Sequence, residues 1–232
     1  MIQPRISIAL ATYNGEKYIE ELLLSLSKQI LYPLEIVVTD DNSSDSTLKI
    51  IQDFSKHSPF EVRYFQNTER LGYGQNFFKA ASLCKGDYVA FCDQDDFWLD
   101  NKINRISEII ELSSADFIVH GGLVVDEKLN PLDYRFPNIS ENGFISTKSL
   151  HNHYYPGFAL TVSKNLLIKA LSTKKINTNT IKSSEIAHDK VICETAFGYF
   201  NCYQITDNLV LYRQHDNNVI GFPNNSISIQ NT

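Results

Sequence analysis

The 232-residue sequence is short of positive charge, poor in cysteine and without a long apolar run, and each shortage excludes a class of function. Lys and Arg number 21 against 27 Asp and Glu, for a formal net charge of -6. Phosphate backbones are bound by clustered Lys and Arg, so no nucleic acid is expected as the main partner. The four cysteines, Cys84, Cys92, Cys193 and Cys202, form no C-x-x-C pair and no secreted-scaffold spacing. Buried free thiols in a reducing compartment are the expectation. No segment approaches the roughly 18 apolar residues of a membrane span. The run Ile6 to Ala11 is too short for a signal peptide and meets Asn14-Gly15, not a cleavage site. A cytoplasmic protein is the expectation. No repeat with a period of about 20 to 50 residues is visible.

What is present is an ordinary globular composition, 43% hydrophobic and 21% charged, in a chain long enough to bury one sizeable core. The first 112 residues read strand-helix four times. Strands are expected at Ile6 to Ala11, Leu34 to Thr39, Glu61 to Phe65 (edge-like) and Tyr88 to Cys92. Helices carry apolar stripes at Ile19/Leu22/Leu23/Leu26, Leu48/Ile51/Phe54, Phe77/Phe78/Ala81 and Ile103/Ile106/Ile110. This is the pattern of a doubly wound parallel sheet.

The second half loses that rhythm. One or two strands kinked at Gly121-Gly122 are expected over Ala115 to Val125, and a loop over Asp126 to Ile145. A strand ending at Val162, a helix over Asn165 to Ser172 and a mobile Lys-rich loop over Thr173 to Ser184 follow. A helix near Asp189 to Phe197 precedes two strands, Tyr203 to Ile205 and Leu209 to Tyr212, and the end from Gly221 is expected to fray.

Chemistry concentrates where strands stop. Gly86-Asp-Tyr-Val-Ala-Phe-Cys-Asp-Gln-Asp-Asp-Phe-Trp-Leu99 runs from a buried strand into Asp93, Asp95 and Asp96. Open α/β sheets bind ligands at the carboxyl ends of their strands. Hard oxygen ligands there suit Mg²⁺ or Mn²⁺ carrying a diphosphate. A second acidic strand end, Asp40-Asp41, lies upstream. Grouped carboxylates of this kind need a shared cation or polar ligand.

These stretches, with Ile6-Ser-Ile-Ala-Leu-Ala-Thr-Tyr-Asn-Gly-Glu-Lys-Tyr18, Thr39-Asp-Asp-Asn-Ser-Ser-Asp-Ser-Thr47, and Leu71-Gly72 with Asn76-Phe77, resemble the family 2 glycosyltransferases. The later Tyr154-Tyr-Pro-Gly-Phe158, His188-Asp189 and Tyr212-Arg-Gln-His-Asp-Asn-Asn-Val-Ile-Gly221 resemble the bacterial rhamnosyltransferase-type branch. The resemblance implies a single-domain A-type nucleotide-diphospho-sugar transferase fold, a mostly parallel Rossmann-like sheet with helices on both faces and a smaller mixed-sheet half. Residues 1–112 would form the nucleotide-sugar half, 113–221 the acceptor half and 222–232 a flexible tail. The implied reaction is inverting, metal-dependent transfer from a donor such as dTDP-rhamnose or a UDP-sugar to a hydroxyl of a cell-surface glycan or lipid-linked acceptor.

It also implies roles. Thr12, Tyr13, Asn14, Glu16 and Asp41 would hold the nucleotide, joined by Gly72 and Asn76. A carboxylate such as Asp41 can accept the imide N–H of uracil or thymine; the alternative is a helix cap. Asp93 would contact the ribose and Asp95 the Mn²⁺ or Mg²⁺ ion, with Asp96 as the alternative ligand. His215 would complete the metal ligands and Arg213 pair with the diphosphate. Asp189, opening a helix, matches the family's base position, although a carboxylate there also suits the helix dipole. Phe97 and Trp98 are either a wall for a sugar face or core.

Lys164, Lys169, Lys174, Lys175 and Lys182 make a basic stretch, which reads first as a solvated face and second as a contact with the inner face of an anionic membrane. Many relatives continue further, so the chain is either a short member or one that needs another subunit, or a second copy, to bind acceptor. Two rival classes are a sugar nucleotidyltransferase, which would need a basic loop that Ala11 to Glu16 does not have, and a non-catalytic sugar-nucleotide-binding module, against which the complete acid set stands.

Overall fold

A computed structural model describes residues 3–146, 154–177, 187–216 and 218. Strand β1 (Ile6–Thr12) is buried at every position and lies between β2 (Glu35–Asp40) and β4 (Tyr88–Cys92), parallel to both. A largely apolar run suits such a strand, since both faces are covered. β3 (Glu61–Gln66) pairs only with β2 along this path and alternates between exposed and half-buried residues, as an edge strand does. Helices α1 (Ile19–Ser27), α2 (Thr47–Ser55) and α3 (Tyr73–Leu83) make the crossovers. The register sets Thr12 opposite Asp40 and Leu10 opposite Cys92. The loops carrying Tyr13, Asp41 and Asp93 therefore leave the sheet side by side.

The second half extends the same sheet. It contributes β5 (Phe97–Trp98), α4 (Lys102–Ser113), β6 (Phe117–Val125), β7 (Pro131–Arg135), β8 (Gly143–Phe144), β9 (Leu160–Ser163), α5 (Lys164–Asn177), α6 (His188–Tyr199) and β10 (Cys202–Arg213). The strand order is β3-β2-β1-β4-β9-β6-β10-β5, with β7 added to β6 and β8 to β10. β9 is antiparallel to both β4 and β6 and joins the parallel half to the mixed half. All four cysteines are free and buried. Among the described residues, no helix is long and apolar enough to cross a membrane.

Several expectations need correction. β6 passes straight through Gly121-Gly122, and the irregularity lies in its partner: the register shifts between Ile205 and Val210 on β10. A Cβ on Gly121 would come within 2.6 Å of Asn208 Oδ1, so the glycine makes room for that bulge. The polar residues Thr206 to Asn208 thus interrupt one strand, and do not separate two. The stretch 126–145 contains β7 and β8; β7 is exposed at every position and has no apolar alternation to announce it. Helix α5 runs to Asn177, through the start of the expected Lys-rich loop. The rest of that loop, Lys182 and the end from Gly221 lie outside the described residues.

Candidate active site

The loops at the carboxyl ends of β1, β2 and β4 enclose a cavity of about 560 Å³. Its first wall is the turn after β1. Tyr13 N–H donates to Gln94 Oε1 (2.9 Å) and Gln94 Nε2 returns a bond to Tyr13 O (3.0 Å), tying this turn to the acidic loop. A Cβ on Gly15 would sit 2.3 Å from Gln94 Oε1, so only glycine allows the approach. Asn14, at φ 44°, accepts the Ser44 N–H at 2.9 Å. The Arg70 guanidinium lies 3.7 Å above the Tyr13 ring, leaving an aromatic and cationic pair at the cavity wall.

The two acids after β2 differ in use. Asp40 accepts Thr12 Oγ1 (3.0 Å) and Ser43 N–H (2.8 Å) and organises the turn. Asp41 lines the cavity, accepting Asn67 Nδ2 (2.9 Å), Leu71 N–H (2.7 Å) and Gly72 N–H (2.9 Å). Gly72, at φ 83°, takes the left-handed bend that presents its N–H. Asn76 is a buried strut: its Nδ2 donates to Thr39 O (2.7 Å) and its Oδ1 accepts Asn67 Nδ2 (3.0 Å).

In the acidic loop, Asp93 and Asp95 line the cavity. Burial pushes the Asp93 carboxyl up to about 8, and the charges of Asp95 and Asp189 act in the same direction. Asp95 Oδ2 lies 2.8 Å from His215 Nε2. Asp96 is fully buried; one oxygen accepts Arg213 N–H at 3.1 Å and the other has no hydrogen-bond partner. Burial, then Asp95 and Asp93, holds its carboxyl well above the usual range.

At the far wall, Asp189 sits in the first turn of α6. One carboxylate oxygen accepts Lys190 N–H at 2.8 Å and the other accepts the Tyr154 hydroxyl. Burial, then the charge of Asp189, raises the Tyr154 phenol well above its ordinary value. His188 stacks on Phe77 with ring centroids 4.0 Å apart, and neither of its ring nitrogens has a hydrogen-bond partner. Burial lowers its pKa to about 4, so the imidazole is neutral.

The structure thus brings Thr12, Tyr13, Asn14, Asp41, Gly72, Asn76, Asp93, Asp95, Asp189 and His215 to one cavity. Three anticipated site residues are elsewhere. Glu16 is exposed and accepts Ser46 N–H at 2.9 Å, bolting the first turn to α2. Asp96 is enclosed below the loop. The Arg213 guanidinium, expected on a diphosphate, donates to Asp95 O (2.7 Å), to Glu127 O and to the Glu21 carboxylate. Three acceptors within a buried site outcompete an external anion for its fork geometry. Trp98 is buried beneath the Lys102 ammonium, 3.5 Å from its ring, so it belongs to the core. Tyr18, Arg70, Gln94, Tyr154 and His188 line the cavity although sequence reasoning assigned them no role. Tyr18, Gln94, Tyr154 and His188 stand inside quoted motifs, which was the available signal; Arg70 does not.

Among the described residues no group of three or more His, Cys, Asp or Glu is arranged to hold a metal ion. Asp95 and His215 nevertheless fit half of a divalent site. Neighbouring ligands of an octahedral ion at about 2.1 Å stand about 3 Å apart, so their 2.8 Å separation suits one ion, with diphosphate oxygens and water completing the shell.

Residues 7–169 match the sequence profile of Glycosyl transferase family 2. The dTDP-rhamnosyl transferase RfbG of Shigella flexneri is 29% identical over 225 residues, covering 91% of this chain and 73% of that protein. The GalNAc(5)-diNAcBac-PP-undecaprenol beta-1,3-glucosyltransferase of Campylobacter jejuni is 26% identical over 168 residues, 72% of this chain and 53% of that one. S. aureus TarS in complex with UDP superposes with a TM-score of 0.73 at 23% identity, over 90% of this chain and 60% of that chain. The mannosyltransferase PcManGT from Pyrobaculum calidifontis, in complex with GDP-Man and Mn²⁺, has a TM-score of 0.62 at 19% identity, over 90% and 56%. The chain therefore spans between about half and three quarters of these relatives. The structural likenesses show the A-type nucleotide-sugar transferase fold, and the profile match over most of the sequence adds descent: the chain belongs to glycosyl transferase family 2, a family of sugar-transferring enzymes.

Proposed function

We propose that this chain transfers a sugar, with inversion, from a nucleoside-diphosphate donor to a hydroxyl of a glycan or lipid-linked acceptor. The observation that carries the reading is one cavity holding the Asp95–His215 pair and, across it, the Asp189 carboxylate. Residues 1–112 serve the donor and 113–221 the acceptor. Tyr13 offers its ring to the base under Arg70, Asp41 accepts the base imide through its remaining lone pairs, and Asp93 meets the ribose. A divalent ion, Mn²⁺ or Mg²⁺, held by Asp95 and His215 would neutralise the charge of the leaving diphosphate. Asp189 takes the acceptor hydroxyl's proton. The acceptor oxygen then bonds to the anomeric carbon through an oxocarbenium-like state, and the carbon–oxygen bond to the diphosphate breaks with its electron pair leaving on the phosphate. A single displacement inverts the anomeric centre. RfbG and the UDP complex of TarS support dTDP-rhamnose or a UDP-sugar as donor. The lysines of the α5 stretch support at most a peripheral membrane contact: Lys169 already lies over the Tyr199 ring, 5.1 Å from its centroid.

Calorimetric titration with UDP, dTDP, GDP and CMP, each with and without Mn²⁺, tests the donor half. Metal-enhanced binding of dTDP or UDP is expected. Binding of none of them by folded protein would sink the reading.

A further inference from the structure

Tyr18 caps the start of α1 and is held there by backbone bonds to Gly15 O (3.1 Å) and from Leu22 N–H (3.1 Å). His215 stacks on its ring, with centroids 4.8 Å apart and planes at 25°. The Arg213 guanidinium lies 4.7 Å and the Lys17 ammonium 4.8 Å from the same ring centroid. Arg213 is itself anchored, since its Nε donates to Asp95 O at 2.7 Å. Tyr18, His215 and Asp95 all reach the cavity wall, and His215 turns Nε2 towards Asp95 Oδ2. An imidazole that presents one nitrogen to a carboxylate needs its plane fixed, because rotation of the ring would carry Nε2 off its target. The flat aromatic face of Tyr18 supplies that constraint.

We infer that Tyr18 is a positioning residue for divalent-cation binding, acting through His215. This rests on the reading of Asp95 and His215 as the cation's protein ligands. The same turn carries Tyr13 and Asn14, so the loop that would enclose the nucleotide also orients a metal ligand. Partners that orient metal ligands alter affinity about 10- to 100-fold when removed.

The test is Mn²⁺ titration followed by electron paramagnetic resonance, alone and with UDP present, on four variants whose folding is checked by circular dichroism. Tyr18→Leu is expected to weaken Mn²⁺ binding about tenfold or more, while Tyr18→Phe, which keeps the stacked face, stays within about twofold. In a His215→Ala background, Tyr18→Leu should add nothing. Wild-type Mn²⁺ affinity in Tyr18→Leu overturns the inference, as does an undiminished effect of Tyr18→Leu in the His215→Ala background. Equal loss in Tyr18→Phe and Tyr18→Leu also overturns it, because stacking would not be the cause. If His215→Ala itself binds Mn²⁺ normally, the ligand assignment fails first and the inference with it.

Discussion

A Cβ placed on Gly157 would lie 2.4 Å from His188 Nε2, so the turn before β9 and the start of α6 pack against each other through a missing side chain. Gly157→Ala must push the imidazole out of its stack on Phe77 and disturb the neighbouring Asp189. We expect a loss of about 1–3 kcal/mol in urea unfolding, typical of overpacking, with transfer activity reduced further than donor binding. An alanine variant as stable and active as wild type would mean that the 157–188 contact is slack.

Asp189→Asn keeps the shape of the side chain and removes its basicity. Turnover should fall about 10²- to 10⁴-fold, while nucleotide affinity measured by calorimetry stays within about twofold. Tyr154→Phe removes a donor to the same carboxylate but leaves the base in place, and about a tenfold loss is the upper bound expected. A variant Asp189→Asn that turned over normally would move the base to another residue.

Chelation and substitution should agree at the other wall. Removal of divalent ions with EDTA is expected to abolish transfer, with recovery on adding Mn²⁺. Asp95→Asn should remove the metal-dependent increment in UDP or dTDP affinity and leave metal-free binding intact. Transfer by Asp95→Asn at the wild-type rate would contradict the ligand assignment.

Glu35 provides a stability prediction far from the cavity. Its carboxylate is fully buried and bonded to Arg63 (2.8 Å), Lys85 N–H (2.6 Å) and Ser7 Oγ (3.0 Å). Burial alone would push its pKa up, but the bonds from Arg63, Lys85 and Ser7 together hold it below the ordinary 4.5. A folded-state pKa below the unfolded one adds stability above the unfolded value, and that stability is lost as pH falls through the folded value. Arg63→Met strands the buried charge and should cost about 3 kcal/mol at pH 7. The deficit should shrink in urea melts near pH 4, where Glu35 can be protonated and neutral. A deficit independent of pH would assign the loss to packing of the Arg63 stem.

Local pattern carried much of the donor half. Ile6 to Thr12, Glu35 to Asp40 and Tyr88 to Cys92 are largely apolar runs, the last two cut off by acids, and strands buried on both faces suit the middle of a parallel sheet. The grouping of Asp41, Asp93 and Asp95 follows from that, because adjacent parallel strands end at the same edge. β7 and β8 were not legible, since exposed edge strands need no apolar alternation.

What only the tertiary structure decided was which polar side chains face the cavity and which are consumed by one another. Asp95 and Asp96 are neighbours in sequence, yet one reaches His215 and the other is enclosed against the Arg213 backbone. Arg213 and His215 are two residues apart, yet the first is bound to Asp95 O, Glu127 and Glu21 while the second lines the cavity. Sequence sets the chemistry available at each position. Whether a buried charge is kept for a ligand depends on partners far away in the chain, because burial is tolerated only where those partners complete its hydrogen bonds.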